Sequence, residues 1–230
     1  MHEELRSKLE QAHRILHMEG LAEDASRGHV TARTGDGRIY IKPWGVGFEE
    51  VKAGDFQAVD GEGNLVEGQG RIHSEIPIHL EIYRKRKDVS SIAHVHPYFC
   101  VLLSSVFKGK IHILSHHATL FSGRIPFYVP TELVQSKQQG VKLAQALGDR
   151  PVVLMKNHGI TVVGKSVEEA TILSIHFEQA VKDHLLATMF GKPSGIPLAV
   201  AKKMSAHSYS ASQCRMLWDH YWKKFTPKTG

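Results

Sequence analysis

The chain has 230 residues, and its hydrophobic and charged fractions of 42% and 23% are those of an ordinary globular protein. This length suffices for one compact domain and is short for two. The sequence contains no run of about 18 apolar residues and no signal peptide, so we predict a soluble protein without a membrane span. Two isolated cysteines, Cys100 and Cys214, are typical of a reducing compartment, and we predict a cytoplasmic location.

The formal net charge of +6 comes from dispersed basic residues. The densest basic run, residues 84–87, lies at the end of a predicted helix, where cations complement the helix dipole. The charge therefore does not predict nucleic-acid binding, and a small anionic substrate explains it at least as well.

The predicted helices share apolar residues at helical spacing. They cover residues 3–19, 75–86, 132–147, 167–189 and 210–223. Ser74 is the predicted cap of the second helix, and Ser166 with Glu169 forms a predicted capping box. A turn beginning at Ser26 leads into a strand ending at Arg33, and further strands are predicted at residues 38–42, 56–60, 64–66, 91–96, 111–115, 125–129, 152–155 and 160–163.

Strands and helices are mixed without strict alternation, and no repeat or linker interrupts them. The pattern predicts one α/β domain over residues 1–230, with a mostly antiparallel or mixed central sheet. Residues 210–230 are expected to form the C-terminal helix and tail of this domain.

Three of the sixteen histidines lie at the ends of predicted strands. His94 and His96 are two residues apart, so their side chains point to one face and can reach a common ion. His158 follows a buried strand and is the natural third ligand, because three histidines with open positions are typical of a catalytic metal site. The pair could also be simply polar residues on a sheet face. A cupin barrel is disfavoured, because no acidic residue follows the pair before Lys108.

Glu75 begins a predicted helix, where the helix dipole stabilises a carboxylate. Near a divalent metal it could be a ligand in the empty site and a base once substrate displaces it. By position alone, a first-turn glutamate without a catalytic role is the favoured interpretation. His79 lies one helical turn further on and could orient Glu75, although we favour a packing role.

Four segments resemble those of one family in order and spacing. They are Gly28-His29-Val30-Thr31-Ala32-Arg33, His73-Ser74-Glu75-Ile76-Pro77-Ile78-His79, Ala93-His94-Val95-His96-Pro97 and Leu154-Met155-Lys156-Asn157-His158-Gly159. The family is class II aldolase/adducin, which includes fuculose-phosphate aldolase, rhamnulose-phosphate aldolase and ribulose-phosphate 4-epimerase. The resemblance covers about residues 5–195.

The resemblance implies a three-layer α/β/α fold and a homotetramer with active sites at subunit boundaries. It implies that His94, His96 and His158 bind one divalent ion per subunit, usually zinc or manganese, with cobalt or magnesium as alternatives. Glu75 is the implied acid/base residue. The ion would stabilise the enolate or enediolate left when a carbon–carbon bond breaks, while Glu75 moves the proton.

The sugar-phosphate members of the family bind phosphate with small and hydroxyl residues, and this chain departs from that pattern. It has His29, Trp44 with Gly45, and His73 at the matching positions. A phosphate dianion requires many donors in a small concavity, which an indole and two imidazoles do not provide. We therefore predict a substrate that is not a sugar phosphate.

The candidate substrate-binding residues surround these altered positions. They are Gly28, His29, Trp44, Gly45, Arg71, His73, Ser74 and Tyr128. We expect His29, His73 and Arg71 to bind a carboxylate, and Trp44 to stack on a ring unless it points into the core. Tyr128 lies slightly out of register with the tyrosine that the aldolases contribute from a neighbouring subunit.

These features predict a metal-dependent carbon–carbon lyase for a small hydroxy- or oxo-carboxylate, with decarboxylation as the favoured reaction because some members of the family decarboxylate hydroxylated aromatic acids. Retro-aldol cleavage without phosphate is the second hypothesis, and an epimerase or dehydratase using the same metal is the third. A non-catalytic oligomeric scaffold, as in adducin, is the alternative of another class, but such members lack the metal-binding histidines.

Overall fold

A mixed sheet forms the centre of the computed structural model, which describes residues 2–22 and 27–225, with the side chains of 206–208 excepted. The predicted turn at Ser26 and the predicted tail beyond residue 225 lie outside this part. The described strands are β1 (His29–Arg33), β2 (Ile39–Ile41), β3 (Gln57–Val59), β4 (Leu65–Glu67), β5 (Ser91–Val95), β6 (Phe127–Tyr128), β7 (Val152–Met155) and β8 (Gly159–Gly164). They lie in the order β4-β3-β2-β1-β5-β8-β7-β6, and the pair β6–β7 is parallel whereas the other pairs are antiparallel.

Helices cover both faces of the sheet. They are α1 (His2–Met18), α2 (Ile76–Lys85), α3 (Tyr98–Val106), α4 (Lys137–Leu147), α5 (Val167–Phe190), α6 (Leu198–Ser208) and α7 (Ala211–Phe225). One apolar core joins the sheet to α1, α3, α5 and α7, and a second core joins its other face to α2 and α4. The predicted three-layer α/β/α fold with a mixed sheet is therefore confirmed. Among the described helices, none combines the length and apolarity needed to cross a membrane.

The alternation of side chains along β5 decides which face carries the candidate ligands. Ala93 and Val95 belong to the core beneath α1 and α5, whereas Ile92 belongs to the core beneath α2 and α4. Because side chains two residues apart share a face, His94 lies on the α2 side together with Ile92.

The structure differs from the sequence-based prediction of local structure at three places. No strand forms at 111–115, because the carbonyl of Ile113 accepts a hydrogen bond from the Ile196 amide outside the sheet. Helices α3 and α6 were not predicted, since α3 is apolar on most of its surface and gives no clear helical period. Helix α4 begins at Lys137 instead of 132, after a Ser136–Gln139 capping box.

Ser74 is also not the cap of α2. The helix begins one residue later than predicted, with Glu75 in the capping position and Pro77 in the first turn. The Ile76 amide bonds back to the His73 carbonyl, so a tight turn precedes the helix. The Ser74 hydroxyl instead accepts a hydrogen bond from the Gln135 side chain.

Arg33 joins β1 to the end of α2. Its guanidinium donates to the backbone carbonyls of Tyr83 at 2.8 Å and Val89 at 2.6 Å, and it lies 3.2 Å from that of Lys87. Arg33→Met leaves these carbonyls without their charged donor. We expect the free energy of unfolding in urea to fall by about 2–3 kcal/mol.

Arg38→Met is the matched control for this measurement. Arg38 lies just before β2, where its ion pairs with Asp36 and Glu67 are partly exposed. Exposed ion pairs contribute little, so the loss should stay below about 1 kcal/mol. Equal losses in the two variants would contradict the structural role assigned to Arg33.

Candidate active site

His94 is fixed near the end of β5, at the centre of the sheet. Its Cα pairs with that of His29 on β1 and with that of Thr161 on β8. His94 Nδ1 lies 3.1 Å from the Ile160 carbonyl and 3.2 Å from the Thr161 hydroxyl. When Nδ1–H donates to the carbonyl, Nε2 keeps its lone pair for a metal ion.

His158 lies in the tight turn between β7 and β8. Asn157 adopts a left-handed conformation with a φ of 52°, and the His158 amide bonds to the Met155 carbonyl at 3.2 Å. A Cβ on Gly159 would lie 2.4 Å from the Val95 carbonyl oxygen and 2.7 Å from His96 Cδ2. Only glycine therefore lets this turn approach the end of β5 and bring His158 beside His96.

The structure brings Glu75, His94, His96 and His158 together, with one ligand atom of each within 4.8 Å of the others. The Nε2 atoms of His94 and His96 are 3.1 Å apart, and Glu75 Oε2 lies 3.6 Å from His94 Nε2 and 3.7 Å from His158 Nε2. Ligands at 2.0–2.1 Å from a tetrahedral ion are separated by about 3.3–3.4 Å. The four side chains therefore fit a single divalent ion in number, chemistry and spacing.

Glu75 is held on both sides. Its Oε1 accepts a hydrogen bond from the Val134 amide at 3.1 Å, and its own amide donates to His73 Nδ1 at 3.3 Å. Burial tends to raise the pKa of the Glu75 carboxyl, but hydrogen bonds and charge interactions with His158 and His94 outweigh burial and hold that pKa well below its ordinary value. The side chain is thus an oriented carboxylate with Oε2 facing the histidines.

A second group of histidines adjoins this cluster. His29, His73 and Glu75 also offer ligand atoms within 4.8 Å of one another, and the His29 and His73 rings are 4.1 Å apart. Burial lowers the pKa of His73 to about 4 and that of His29 well below the ordinary histidine value. Both rings are therefore neutral donors or acceptors at neutral pH.

Trp44 and Arg71 are exposed residues near His73. Arg71 lies two residues before His73 in the sequence, and a backbone hydrogen bond joins Trp44 to Arg71. The Trp44 amide donates to the Arg71 carbonyl at 3.1 Å, and the Arg71 guanidinium covers the indole at 4.6 Å. Trp44 is 50% exposed, so the possibility that it points into the core is excluded.

The other predicted substrate-binding residues differ in their access to a ligand. Gly28 packs against the His94 backbone, because a Cβ there would lie 2.8 Å from the His94 carbonyl oxygen. Gly45 is exposed with a positive φ of 86°. Ser74 is half-buried, and Tyr128 is buried in the core shared with α2 and α4.

Gly159→Ala tests how closely this site is packed. The added Cβ must displace the Val95 carbonyl or the His96 ring. A displacement of about 1 Å at a catalytic group costs on the order of 10² in rate. We expect a loss of that size, together with weaker metal binding measured by competition with a chelator.

Gly54→Ala provides the control, because a Cβ at Gly54 meets no atom within 4 Å and its φ is not positive. This variant should retain full activity and metal affinity. An unimpaired Gly159→Ala protein would mean that the His158 turn tolerates movement and does not fix the ligand geometry.

Several residues of the site were missed by sequence reasoning. Val134 holds Glu75 from a loop that was predicted to be helical, and Thr161 orients His94 from a strand 67 residues away. Thr31 shares a face of β1 with His29, and this spacing of two residues is the signal that could have identified it. Thr31 and His79 form hydrogen bonds beside the site, as described below.

A cavity of about 700 Å³ lies elsewhere, between the ends of α3 and α5 and the start of α6. Its lining includes Leu103, Ile111 and Leu198 but no acidic residue. It contains two histidines, His112 and His184, but no third metal-ligating side chain, whereas the cluster at Glu75 combines three histidines with a carboxylate and is the better candidate active site.

Comparisons with known proteins agree with this geometry. Residues 7–185 match the family described as the Class II Aldolase and Adducin N-terminal domain. Over 202 residues the chain is 31% identical to 3,4-dihydroxyphthalate decarboxylase from Arthrobacter keyseri, with 83% of this chain and 81% of that protein covered. Over 170 residues it is 33% identical to L-fuculose phosphate aldolase from Methanocaldococcus jannaschii, with 73% and 88% covered.

A solved structure shares the whole fold. The aldolase II superfamily protein from Pseudomonas syringae superposes with a TM-score of 0.86 at 25% identity, covering 96% of this chain and 92% of the other. The matched family, the three-layer fold and the cluster of three histidines with a glutamate all agree, and the chain belongs to the class II aldolase/adducin family.

Proposed function

We propose that this protein is a divalent-metal-dependent carbon–carbon lyase that decarboxylates a small, non-phosphorylated hydroxy- or oxo-carboxylate, with hydroxylated aromatic acids as the favoured class. The observation that carries the proposal is the convergence of Glu75 with His94, His96 and His158 at ligand spacing. A lyase assignment is supported by the similarity to proteins named as a decarboxylase and an aldolase.

His94, His96 and His158 are the proposed ligands of one ion per subunit, with Glu75 as a fourth ligand in the absence of substrate. Imidazole nitrogens favour first-row transition metals, so we propose zinc or manganese, with cobalt or magnesium as alternatives. A divalent ion held there would supply Lewis-acid stabilisation of the negative charge that develops on substrate oxygens as a carbon–carbon bond breaks.

Glu75 is the proposed acid/base residue. Its Oε2 would accept the proton of a substrate hydroxyl while the bond to the carboxylate breaks and the electron pair remains on carbon. Carbon dioxide leaves, and Glu75 then returns the proton to that carbon. Water reprotonates the oxygen when the product departs. The Val134 amide keeps Oε1 in place, so a single oxygen of the carboxylate faces the substrate throughout.

The residues around the metal cluster support a carboxylate substrate. The buried imidazoles of His29 and His73 replace the small and hydroxyl residues of the sugar-phosphate members. Arg71 and the exposed face of Trp44 form a cationic and aromatic rim that suits an anionic ring. We therefore retain these residues as proposed substrate contacts, with Gly28, Gly45, Ser74 and Tyr128 in supporting positions.

Retro-aldol cleavage is the second candidate, favoured by 33% identity to L-fuculose phosphate aldolase. It would use the same metal ligands and the same proton transfer by Glu75, and it would release an aldehyde in place of carbon dioxide. An epimerase would release neither. A scaffold role in the manner of adducin is disfavoured by the presence of all three histidines and the glutamate.

Product analysis on metal-loaded protein tests the proposal. Dihydroxybenzoate-type acids should release carbon dioxide, and calorimetry should show tighter binding of such an acid than of a phosphorylated glycolohydroxamate. Tight binding of the phosphorylated compound alone would overturn the decarboxylase assignment and support a sugar-phosphate aldolase or epimerase.

We also propose a cytoplasmic homotetramer. Large apolar side chains are exposed at α3 and at the end of α5, among them Tyr98, Val106, Met189 and Phe190. Apolar residues grouped in this way are typical of surfaces that associate with another chain. Light scattering coupled to size-exclusion chromatography would measure the subunit number directly.

A further inference from the structure

A chain of buried hydrogen bonds leads from the end of α2 to the candidate active site. The Tyr83 hydroxyl lies 2.9 Å from Thr31 Oγ1, which lies 2.7 Å from His79 Nδ1. His79 Nε2 in turn lies 2.7 Å from His29 Nδ1. All four side chains are buried, so bulk water does not compete for these hydrogen bonds.

The chain ends at an atom without a partner. His29 Nε2 is buried and has no hydrogen-bond partner among the described residues. The His29 ring lies 4.1 Å from that of His73 and 5.3 Å from that of His94, and one of its nitrogens lies within 4.8 Å of a Glu75 carboxylate oxygen, so the ring directly adjoins the metal-binding cluster. An unpaired polar atom in a buried position is destabilising unless a ligand completes it.

The direction of the hydrogen bonds decides what this atom offers. Both imidazoles are fully buried, which disfavours the charged form, so each carries one proton. If Tyr83 donates to Thr31, Thr31 donates to His79 Nδ1 and His79 Nε2–H donates to His29 Nδ1, which leaves the proton of His29 on Nε2. The opposite direction would require the Tyr83 hydroxyl to donate to the Ser90 carbonyl at 3.5 Å.

The geometry and the local charge both favour the first direction. The contacts within the chain are 2.7–2.9 Å long, whereas the Ser90 carbonyl is distant and already accepts the Arg33 amide at 2.8 Å. The reverse direction would also leave a bare lone pair on Nε2 of a ring that adjoins the Glu75 carboxylate. A neutral N–H is the arrangement that an anionic neighbour stabilises.

We propose that Tyr83, Thr31 and His79 hold His29 as a neutral donor whose Nε2–H binds the carboxylate of the substrate, so that this relay sets the preference for a carboxylate over a phosphate. The proposal rests on the proposed lyase function, because it names the group that recognises its substrate. One fixed donor satisfies one oxygen of a planar monoanion, but a phosphate dianion needs several converging donors.

His29 is in this view a substrate-binding residue, while Thr31, His79 and Tyr83 are positioning residues. The relay is neutral, so a carboxylate bound through it keeps its charge and remains able to leave as carbon dioxide.

The first test measures proton positions without any turnover. Long-range ¹H–¹⁵N correlation spectra of ¹⁵N-histidine-labelled protein, with and without zinc, report which ring nitrogen carries the proton. We expect His29 and His79 both to be protonated at Nε2, with assignments from His29→Gln and His79→Gln. A bare Nε2 on His29 would overturn the proposal.

The second test measures binding of the carboxylate alone. Catechol and 2,3-dihydroxybenzoate offer the same two vicinal oxygens, so the ratio of their dissociation constants isolates the carboxylate. Calorimetry is done in the metal-loaded Glu75→Gln background, so that the acid is not converted to catechol during the titration. A hydrogen bond to a charged group contributes about 1.5–3 kcal/mol, so His29→Leu should reduce this ratio about 10- to 100-fold. His29→Gln places an amide N–H near the position of Nε2 and should restore most of it.

Thr31→Val tests the relay rather than the contact. It removes the hydroxyl but keeps the shape, so we expect a several-fold drop in the carboxylate ratio, a mixture of His29 protonation states in the spectra and unchanged catechol affinity. A purely structural role would weaken both ligands equally. Equal weakening, or an unchanged ratio in His29→Leu, would overturn the proposal.

These outcomes separate the proposal from the proposed function. If no dihydroxybenzoate-type acid releases carbon dioxide but the binding ratio and the proton positions behave as expected, the lyase assignment fails and the carboxylate contact stands. If carbon dioxide is released and the ratio ignores His29→Leu, the lyase assignment stands and the relay fails.

Discussion

Replacement of His96 or His158 with alanine is expected to remove the bound metal and almost all activity. Each substitution leaves two imidazoles and one carboxylate where the four side chains fit a tetrahedral ion. Lewis-acid stabilisation contributes several kcal/mol to a reaction of this class, on the order of 10³ in rate. Metal content by mass spectrometry of the purified variants, with kcat measured at saturating zinc or manganese, checks both parts.

His220→Ala is the matched control, because His220 is an exposed histidine on α7. It should bind one ion per chain and retain full activity, which shows that loss of a histidine alone is harmless. If His96→Ala retained both metal and activity, the ion would have to be held elsewhere and the proposed centre would be wrong.

The parts of this site that follow from local rules could be predicted from the sequence. The spacing of His94 and His96 places them on one sheet face whatever the rest of the fold does. The glycine after His158 marks a tight turn, and the structure explains it by the close approach of Val95. The family resemblance then predicted the three-layer fold, which the structure confirms.

The parts that depend on distant contacts could not be predicted. The start of α3 is stabilised by Glu178, which accepts the amides of Phe99 and Cys100 from almost 80 residues away. No local cap marks this helix, so its apolar sequence reads equally well as a strand or a loop.

The relay is a second example of a long-range feature. Its members come from β1 and α2, and Thr31 and His79 meet only because the two elements pack together. From the sequence, His79 is predicted to be a packed core histidine, and its side chain is indeed fully buried. What the sequence cannot supply is the atom toward which each ring nitrogen points.

Glu75→Gln should lower kcat by about 10²–10⁴ while the protein still binds its metal. The amide keeps the size of the side chain and can still accept the Val134 hydrogen bond, but it cannot take up a proton at neutral pH. The three imidazoles remain as ligands, so metal content should change little. Binding of 2,3-dihydroxybenzoate should likewise persist, because the lost group acts on the proton and not on the carboxylate.

Glu81→Gln separates this effect from a general loss of a buried charge on α2. Glu81 is buried on the same helix but pairs with Arg84, away from the histidines. It should leave kcat unchanged. An active Glu75→Gln protein with normal metal content would mean that another group transfers the proton, and Glu75 would then be only a ligand. A variant that lost its metal together with its activity would instead make coordination the main role of the carboxylate, because three imidazoles alone would not hold the ion.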